Sequence, residues 1–157
     1  MEASLAYWLF KSEPACFSID DLMQRPRQIE HWDGVRNYQV RNLLRDTITK
    51  GDQAFFYHSS CNPPGIAGII EITRAGYPDF TAWDSHAEHF DPNTTPENPR
   101  WYMVDVKFIK KFPHFVTLNE IKNHPQLKHM LINRKGNRLS ITSVTPDEWR
   151  IILALGN

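Results

Sequence analysis

Three short stretches of the chain carry side chains whose types and spacing could recognise a ligand. The first, Tyr7-Trp8-Leu9-Phe10-Lys11-Ser12-Glu13-Pro14, is an aromatic, strand-like run that ends in three polar side chains. Past the sheet, their backbone and side-chain groups are free to meet either solvent or a bound molecule. The second, Trp32-Asp33-Gly34-Val35-Arg36-Asn37, places a tryptophan on a turn ahead of a helix start. A flat indole beside unpaired N–H donors suits an aromatic base or an anion, and the same residue type also suits a core. The third, Arg134-Lys135-Gly136-Asn137-Arg138-Leu139-Ser140, is a basic turn entering a strand. Such turns are usually only solvated, but here Arg138 with Ser140 could grip a phosphate.

Other chemistries have weaker support. Asp84, His86, Glu88, His89 and Asp91 lie within eight residues and are of metal-ligating types. No distant ligand pair accompanies them, so a solvated acidic loop is expected and no metal or other cofactor. Cys16 and Cys61 stand 45 residues apart in no paired motif, which points to a reducing compartment rather than a disulfide framework. His58 near Cys61 is a weak hint of thiol activation. Glu13 and His58 could serve as acid and base, yet no nucleophile joins them. Phosphate-binding glycine loops, nucleophile elbows and zinc-protease motifs are absent.

The elements that would position these residues follow from the apolar pattern. The 157 residues, 41% apolar and 23% charged, suit one globular domain over 1–157. The longest apolar runs are six residues, far below the ~20 of a membrane span, and no secretory leader is expected. Leu5 to Lys11 reads as a strand, and Ser18 with Asp21 as the start of a helix bearing Ile19, Leu22 and Met23. Gln28 to Trp32 is extended. Asn37 is placed to cap a helix with Val40, Leu43, Leu44 and Ile48 on one face. Gln53 to His58 and Ile66 to Gly76 form a hairpin with a wide Pro63-Pro64-Gly65 loop. Residues 77–99 hold four prolines, five acids and no Lys or Arg, which predicts a long surface loop with one helical turn near His86. Trp101 to Phe112 is a strand, Thr117 and Glu120 a capping box, and Pro125 to Met130 a helical segment. A last strand, Leu139 to Ser143, precedes the Thr145-Pro146-Asp147-Glu148 helix start, with Trp149, Ile152 and Leu153 turned inward. Six strands and several helices make an α+β domain built on a small curled barrel. Trp149 is assigned to the core and Trp32 to a pocket wall.

Taken together, "YWLFKSEP" at 7–14, "WDGVRNYQVRNLL" at 32–44, "GDQAFFYHSSCNPPGIAGIIEI" at 51–72 and "RLSITSVTPDEW" at 138–149 resemble the EVE-domain family. The resemblance spans nearly the whole chain. It implies a PUA-like fold, a curled and mostly antiparallel β-barrel ringed by helices, and a reader of modified bases. By the same resemblance, Lys11, Ser12 and Glu13 line a pocket at a strand end and Trp32 is its cage tryptophan. Asp33, Gly34, Val35, Arg36 and Asn37 form the rim. Tyr57, His58 and Ser59 end the strand opposite, and Arg138, Leu139 and Ser140 close the pocket. A second cage wall falls to Trp83, Trp101 or neither.

These readings converge on nucleic acid carrying a modified cytosine or adenine, DNA in preference to RNA, with no membrane partner. Stacking on Trp32 could return ~1–3 kcal/mol of the cost of unstacking a base. Ser12, Glu13, Asn37 and His58 could meet the base edge, while Lys11, Arg36 and Arg138 hold the backbone. An RNA-binding module and an enzyme on a modified nucleotide are the alternatives. The implied location is cytoplasmic, at the nucleoid of a bacterium or in the nucleus of a eukaryote. Net charge is zero, but residues 1–99 carry −6 and residues 100–157 carry +6.

Overall fold

Helices start in this protein where a side chain answers the free N–H groups of a first turn. The computed structural model describes residues 5–157. In α1 (Ile19–Met23) the Ser18 hydroxyl accepts the Asp21 N–H, and the Asp21 carboxylate accepts that of Ser18 in return. The Asn37 side chain accepts the Val40 N–H at 3.0 Å to open α2 (Tyr38–Asn42). Reciprocal boxes of Thr117 with Glu120 and of Thr145 with Glu148 open α3 (Leu118–Asn123) and α4 (Pro146–Gly156). All four starts fall where the sequence pattern puts them. The segment after Pro125 does not become a helix: it is a series of turns followed by a 3-10 turn at Leu131–Asn133. The helix after Asn37 is also shorter than expected, giving way to a π-helical turn at Leu43–Thr47.

Six strands form one sheet: β1 (Tyr7–Ser12), β2 (Ile29–His31), β3 (Gln53–His58), β4 (Gly65–Pro78), β5 (Tyr102–Thr117) and β6 (Ile141–Val144). Their order is β2-β5-β4-β3-β1-β6. Every pairing is antiparallel except β1 with β3, which run parallel from Tyr7 opposite Gln53 to Ser12 opposite His58. The long pair β4 and β5 shifts register at four places, and each irregularity adds bend and twist. The sheet is therefore strongly curled, as an α+β domain of this kind requires. It does not close into a full barrel, because β2 and β6 do not pair among the described residues. β4 extends to Pro78, so the acidic segment begins at Asp79; its 3-10 turn lies at Phe80–Trp83 rather than near His86.

Strand alternation divides the core into two clusters. On one face of β1 and β3, Trp8, Phe10, Ala54 and Phe56 pack with Trp32, Val40 and Leu44. On the other, Leu9, Phe55 and Tyr57 pack with Phe112, Ile121, Trp149 and Ile152. The Asp52 carboxylate is buried in this framework. It accepts hydrogen bonds from the Trp8 indole at 3.0 Å and from the Ala6 and Thr49 N–H groups, both at 3.1 Å, which offset the cost of its burial. No helix among the described residues is long and apolar enough to cross a membrane.

Trp149 is buried and stacks on Phe55 with ring centroids 4.0 Å apart and on Tyr7 at 4.4 Å. Its place in the core agrees with the sequence pattern. Trp149→Ala is expected to cost ~3–5 kcal/mol of stability, a large share of the ~5–15 kcal/mol of a typical domain. Chemical denaturation of wild type and variant measures the difference directly.

Candidate functional site

Because β1 and β3 are parallel, Ser12 and His58 end side by side, and the Ser59 N–H donates to the Ser12 carbonyl at 2.9 Å. On the other side the Lys11 N–H donates to the Ser140 carbonyl at 2.8 Å, extending the β1/β6 pairing. Beyond these bonds the chain turns, with the Glu13 carbonyl accepting the Cys16 and Phe17 N–H groups. β2 brings a second chain end to the same place, where the Trp32 N–H donates to the Val104 carbonyl at 2.8 Å. Between the two ends lies a cavity of about 690 Å³, within the ~300–1,000 Å³ of small-molecule sites.

Six residues expected at the site line this cavity: Lys11, Ser12, Glu13, Trp32, Asp33 and Gly34. Trp32 serves the core as well. It is 8% exposed and meets Phe10, Phe17 and Phe56 edge-to-face, with centroids at 5.2, 6.3 and 5.5 Å. The Ser12 hydroxyl donates to the Phe17 carbonyl at 2.6 Å. Burial lowers the proton affinity of Lys11, whose ammonium has no ion-pair partner among the described residues. A ligand acceptor would satisfy it.

The other expected residues lie elsewhere or act within the fold. Val35 is buried in the core. Arg36 points inward: it donates to the Val35 and His89 carbonyls and pairs with Asp79 at 3.2 Å, with its guanidinium 5.4 Å from the Trp101 ring centre. So occupied, it has little left for a phosphate. Asn37 caps α2. Tyr57 lies on the opposite face of β3, where burial raises its phenol pKa to about 12. His58 Nε2 accepts the Ile19 N–H at 3.2 Å and anchors α1. Ser140 contributes its carbonyl to Lys11, while Arg138 and Leu139 line a different cavity.

Sequence reasoning missed the remaining wall. Phe17 and Arg25 line the cavity from either side of α1, Glu30 and His31 from β2, and Thr81 and His89 from the acidic segment. Arg25 pairs with Glu30 at 2.8 Å and lies over the Phe17 ring at 5.3 Å. Neither Trp83 nor Trp101 lines the cavity; its ring-bearing companions to Trp32 are Phe17, His31 and His89. Trp101 stacks on Tyr38 at 4.9 Å and donates to Asp91 at 2.7 Å. Among the described residues no three His, Cys, Asp or Glu side chains converge as a metal site would need. Asp84 and Asp91 instead accept the N–H groups of His86 and Asn93 within the loop.

Asp79 attaches this wall to the rest. Fully buried, it accepts from the Gly34 N–H at 2.9 Å, the Thr81 N–H at 2.9 Å and the Thr81 hydroxyl at 2.5 Å, besides pairing with Arg36. Gly34 has φ +82°, and a Cβ there would stand 2.5 Å from the His89 ring. Only glycine lets the two loops approach this closely.

A family model described as EVE domain matches residues 6–155. The chain belongs to the EVE-domain family. Human thymocyte nuclear protein 1 is 42% identical over 96% of this chain and 73% of its own length. The structure of human THYN1 protein in complex with 5-methylcytosine-containing DNA matches with a TM-score of 0.90 and 41% identity, covering 97% of this chain and 98% of that one. A Pseudomonas syringae protein matches with a TM-score of 0.91 and 47% identity, covering 97% and 100%. The family and the PUA-like α+β fold that the motifs imply are therefore those of this chain, with the sheet left open.

Two outcomes follow from these contacts. Asp79→Ala strands the Arg36 cation and two N–H donors, and is expected to cost toward the lower end of the ~3–5 kcal/mol of a broken buried pair. Denaturation measures it. His58 is held below its ordinary pKa first by burial and then by Lys111, against the opposing pull of Asp20. Its stabilising share is present above the ordinary imidazole value of ~6.5 and is lost as pH falls through the lower folded value. Melting temperatures from pH 7.5 to 5 should therefore drop more for wild type than for His58→Gln, which keeps an acceptor for Ile19.

Proposed function

We propose that this EVE domain is a non-catalytic reader of DNA that holds one modified base, 5-methylcytosine first among candidates, in the cavity beside Trp32. The observation that carries the reading is the lining itself. An indole and a phenyl ring supply apolar surface for a base and its methyl group, and polar groups from β1 and β2 surround them. Glu13, Asp33 and Glu88 outnumber the unpaired Lys11 there, since Arg25 is matched by Glu30. An acidic lining disfavours phosphate and favours the amino edge of a base, as carboxylates accept from cytosine N4. The DNA bound by the human relative carries such a base.

A flipped base leaves its stack at a cost of a few kcal/mol, and stacking on Trp32 returns ~1–3 kcal/mol. The rest must come from hydrogen bonds at the base edge. Catalysis by Glu13 and His58 finds no support in their positions, because the lone pair of His58 is engaged by Ile19.

The test is an affinity panel of matched oligonucleotides with unmodified and modified cytosine or adenine, as DNA and as RNA. Tightest binding to a modified DNA is expected; equal affinities across the panel would overturn the reading, and a preference for RNA would move it to the RNA-binding alternative. Glu13 is exposed, so Glu13→Gln should keep its melting temperature. It should lose ~1–3 kcal/mol of discrimination between a modified cytosine and a base without that amino group, such as thymine, roughly 5- to 150-fold in affinity ratio. Trp32→Ala is less informative, because that ring is also packed by three phenylalanines.

A further inference from the structure

A second cavity, of about 710 Å³, lies under the basic turn that enters β6. Its floor is apolar, with Trp8, Leu43, Leu131 and Leu139, and its rim carries Arg134, Lys135 and Arg138. These three cations are exposed and have no ion-pair partner among the described residues. The turn that presents them is held in shape. Asn137 donates to the Leu131 carbonyl at 2.8 Å and accepts the Leu139 N–H at 3.0 Å, and Gly136 takes φ +79°.

We infer that this second cavity seats a nucleotide flanking the base held beside Trp32, with Arg134, Lys135 and Arg138 gripping the phosphodiester backbone. The inference rests on the proposed base-reading function. Its first support is a division of charge. The base cavity carries more acid than base, and Arg36 is spent on Asp79 and His89, so the phosphates need a cationic surface elsewhere. Its second support is placement. Trp8, Phe10 and Ser12 alternate along β1 and so share one face of the sheet. Trp8 reaches the second cavity, Ser12 the first, and Phe10 meets Trp32 between them. Trp8 and Ser12 stand four residues apart on the strand, a rise of ~13 Å, on the scale of a few nucleotides. The Lys11 N–H donates to the carbonyl of Ser140, which lies in sequence between Leu139 and Ile141 of the second lining and two residues from Arg138.

The test uses the full chain and the matched oligonucleotide pair, modified and unmodified, titrated at several salt concentrations. The triple variant Arg134→Ala, Lys135→Ala, Arg138→Ala should weaken both oligonucleotides by a common factor of ten or more. The slope of log affinity against log salt should become shallower by roughly two to three, about 0.9 for each phosphate no longer neutralised. Ser143→Tyr, on the exposed side of β6 and lining the cavity, puts a ring into the seat without removing a cation and should also weaken both. A control triple of exposed lysines, Lys107→Ala, Lys122→Ala, Lys128→Ala, should change affinity far less. Unchanged affinity in Ser143→Tyr, or a weakening in the basic-turn variant no larger than in the control, overturns the inference. The base-reading proposal is judged separately, on the ratio between modified and unmodified affinities, which these variants should leave unchanged.

Discussion

The cavity exists because the buried carboxylate of Asp79 is shared by two loops. One loop, after β2, carries Trp32, Asp33 and Gly34; the other, after β4, carries Thr81 and His89. Each needs backbone donors satisfied at its bend, and both direct those donors at the same carboxylate. Arg36 then neutralises the charge and ties the His89 carbonyl across the gap. A surface ion pair would contribute little to such a junction. Here the carboxylate is fully buried with its hydrogen bonds filled, while the guanidinium keeps one edge in solvent, so loss of a donor leaves a buried acceptor unpaired. Further along the same segment Asp91 holds the Trp101 indole, on which Tyr38 stacks and over which the Arg36 guanidinium lies. A stretch that composition alone marks as loose is thereby fixed as a wall.

Asp52 does for the sheet what Asp79 does for the loops. By binding the Trp8 indole and the Ala6 and Thr49 N–H groups, it fixes where β1 enters the sheet beside β3. The parallel register then determines where β1 ends, and so which residues reach the cavity. A one-residue slip would turn Trp8, Phe10 and Ser12 to the opposite face. The site thus depends on two buried carboxylates, one at each end of its supporting strand system.

What could be read in the sequence was what is local. Ser18, Asn37, Thr117 and Thr145 were legible as caps because a cap is settled within four residues. The cavity residues on β1 and after β2 were legible because polar and aromatic types cluster at chain ends. Asp79 was not, since the partners that join the two loops, Arg36 and Gly34, lie 43 and 45 residues away and one Asp among five acids in an acidic loop carries no mark. Arg36 suggested a phosphate contact for the same reason: its charge is visible in sequence and its partner is not. Tyr57 is different. Strand alternation from Phe56, which shares its face with Trp32, already turns Tyr57 away. The helical segment after Pro125 failed because one apolar residue per turn does not outweigh the tertiary anchors. There Asn133 holds the Leu127 carbonyl and fixes turns instead.

The way the walls are held bears on how discrimination can arise. A cavity whose sides are fixed before binding asks little ordering of the protein, so the main cost of recognition falls on the nucleic acid. That cost is the same for a modified base and its unmodified twin to within the effect of the modification on stacking and pairing. The proposed stacking on Trp32 would likewise be nearly indifferent to base identity, since every base has a π-face. Backbone contacts carry no sequence information at all. In the proposed reading, discrimination therefore falls to the polar, directional part of the lining, at Ser12, Glu13, Asp33 and the unpaired Lys11, for the base edge, and to the apolar surface of Phe17 and Trp32 for a methyl substituent. An acidic, half-aromatic cavity beside a separate cationic turn lets these tasks be divided. On the proposed reading the turn sets affinity while the cavity sets the ratio, because Arg134, Lys135 and Arg138 belong to the turn and none of them lines the cavity beside Trp32.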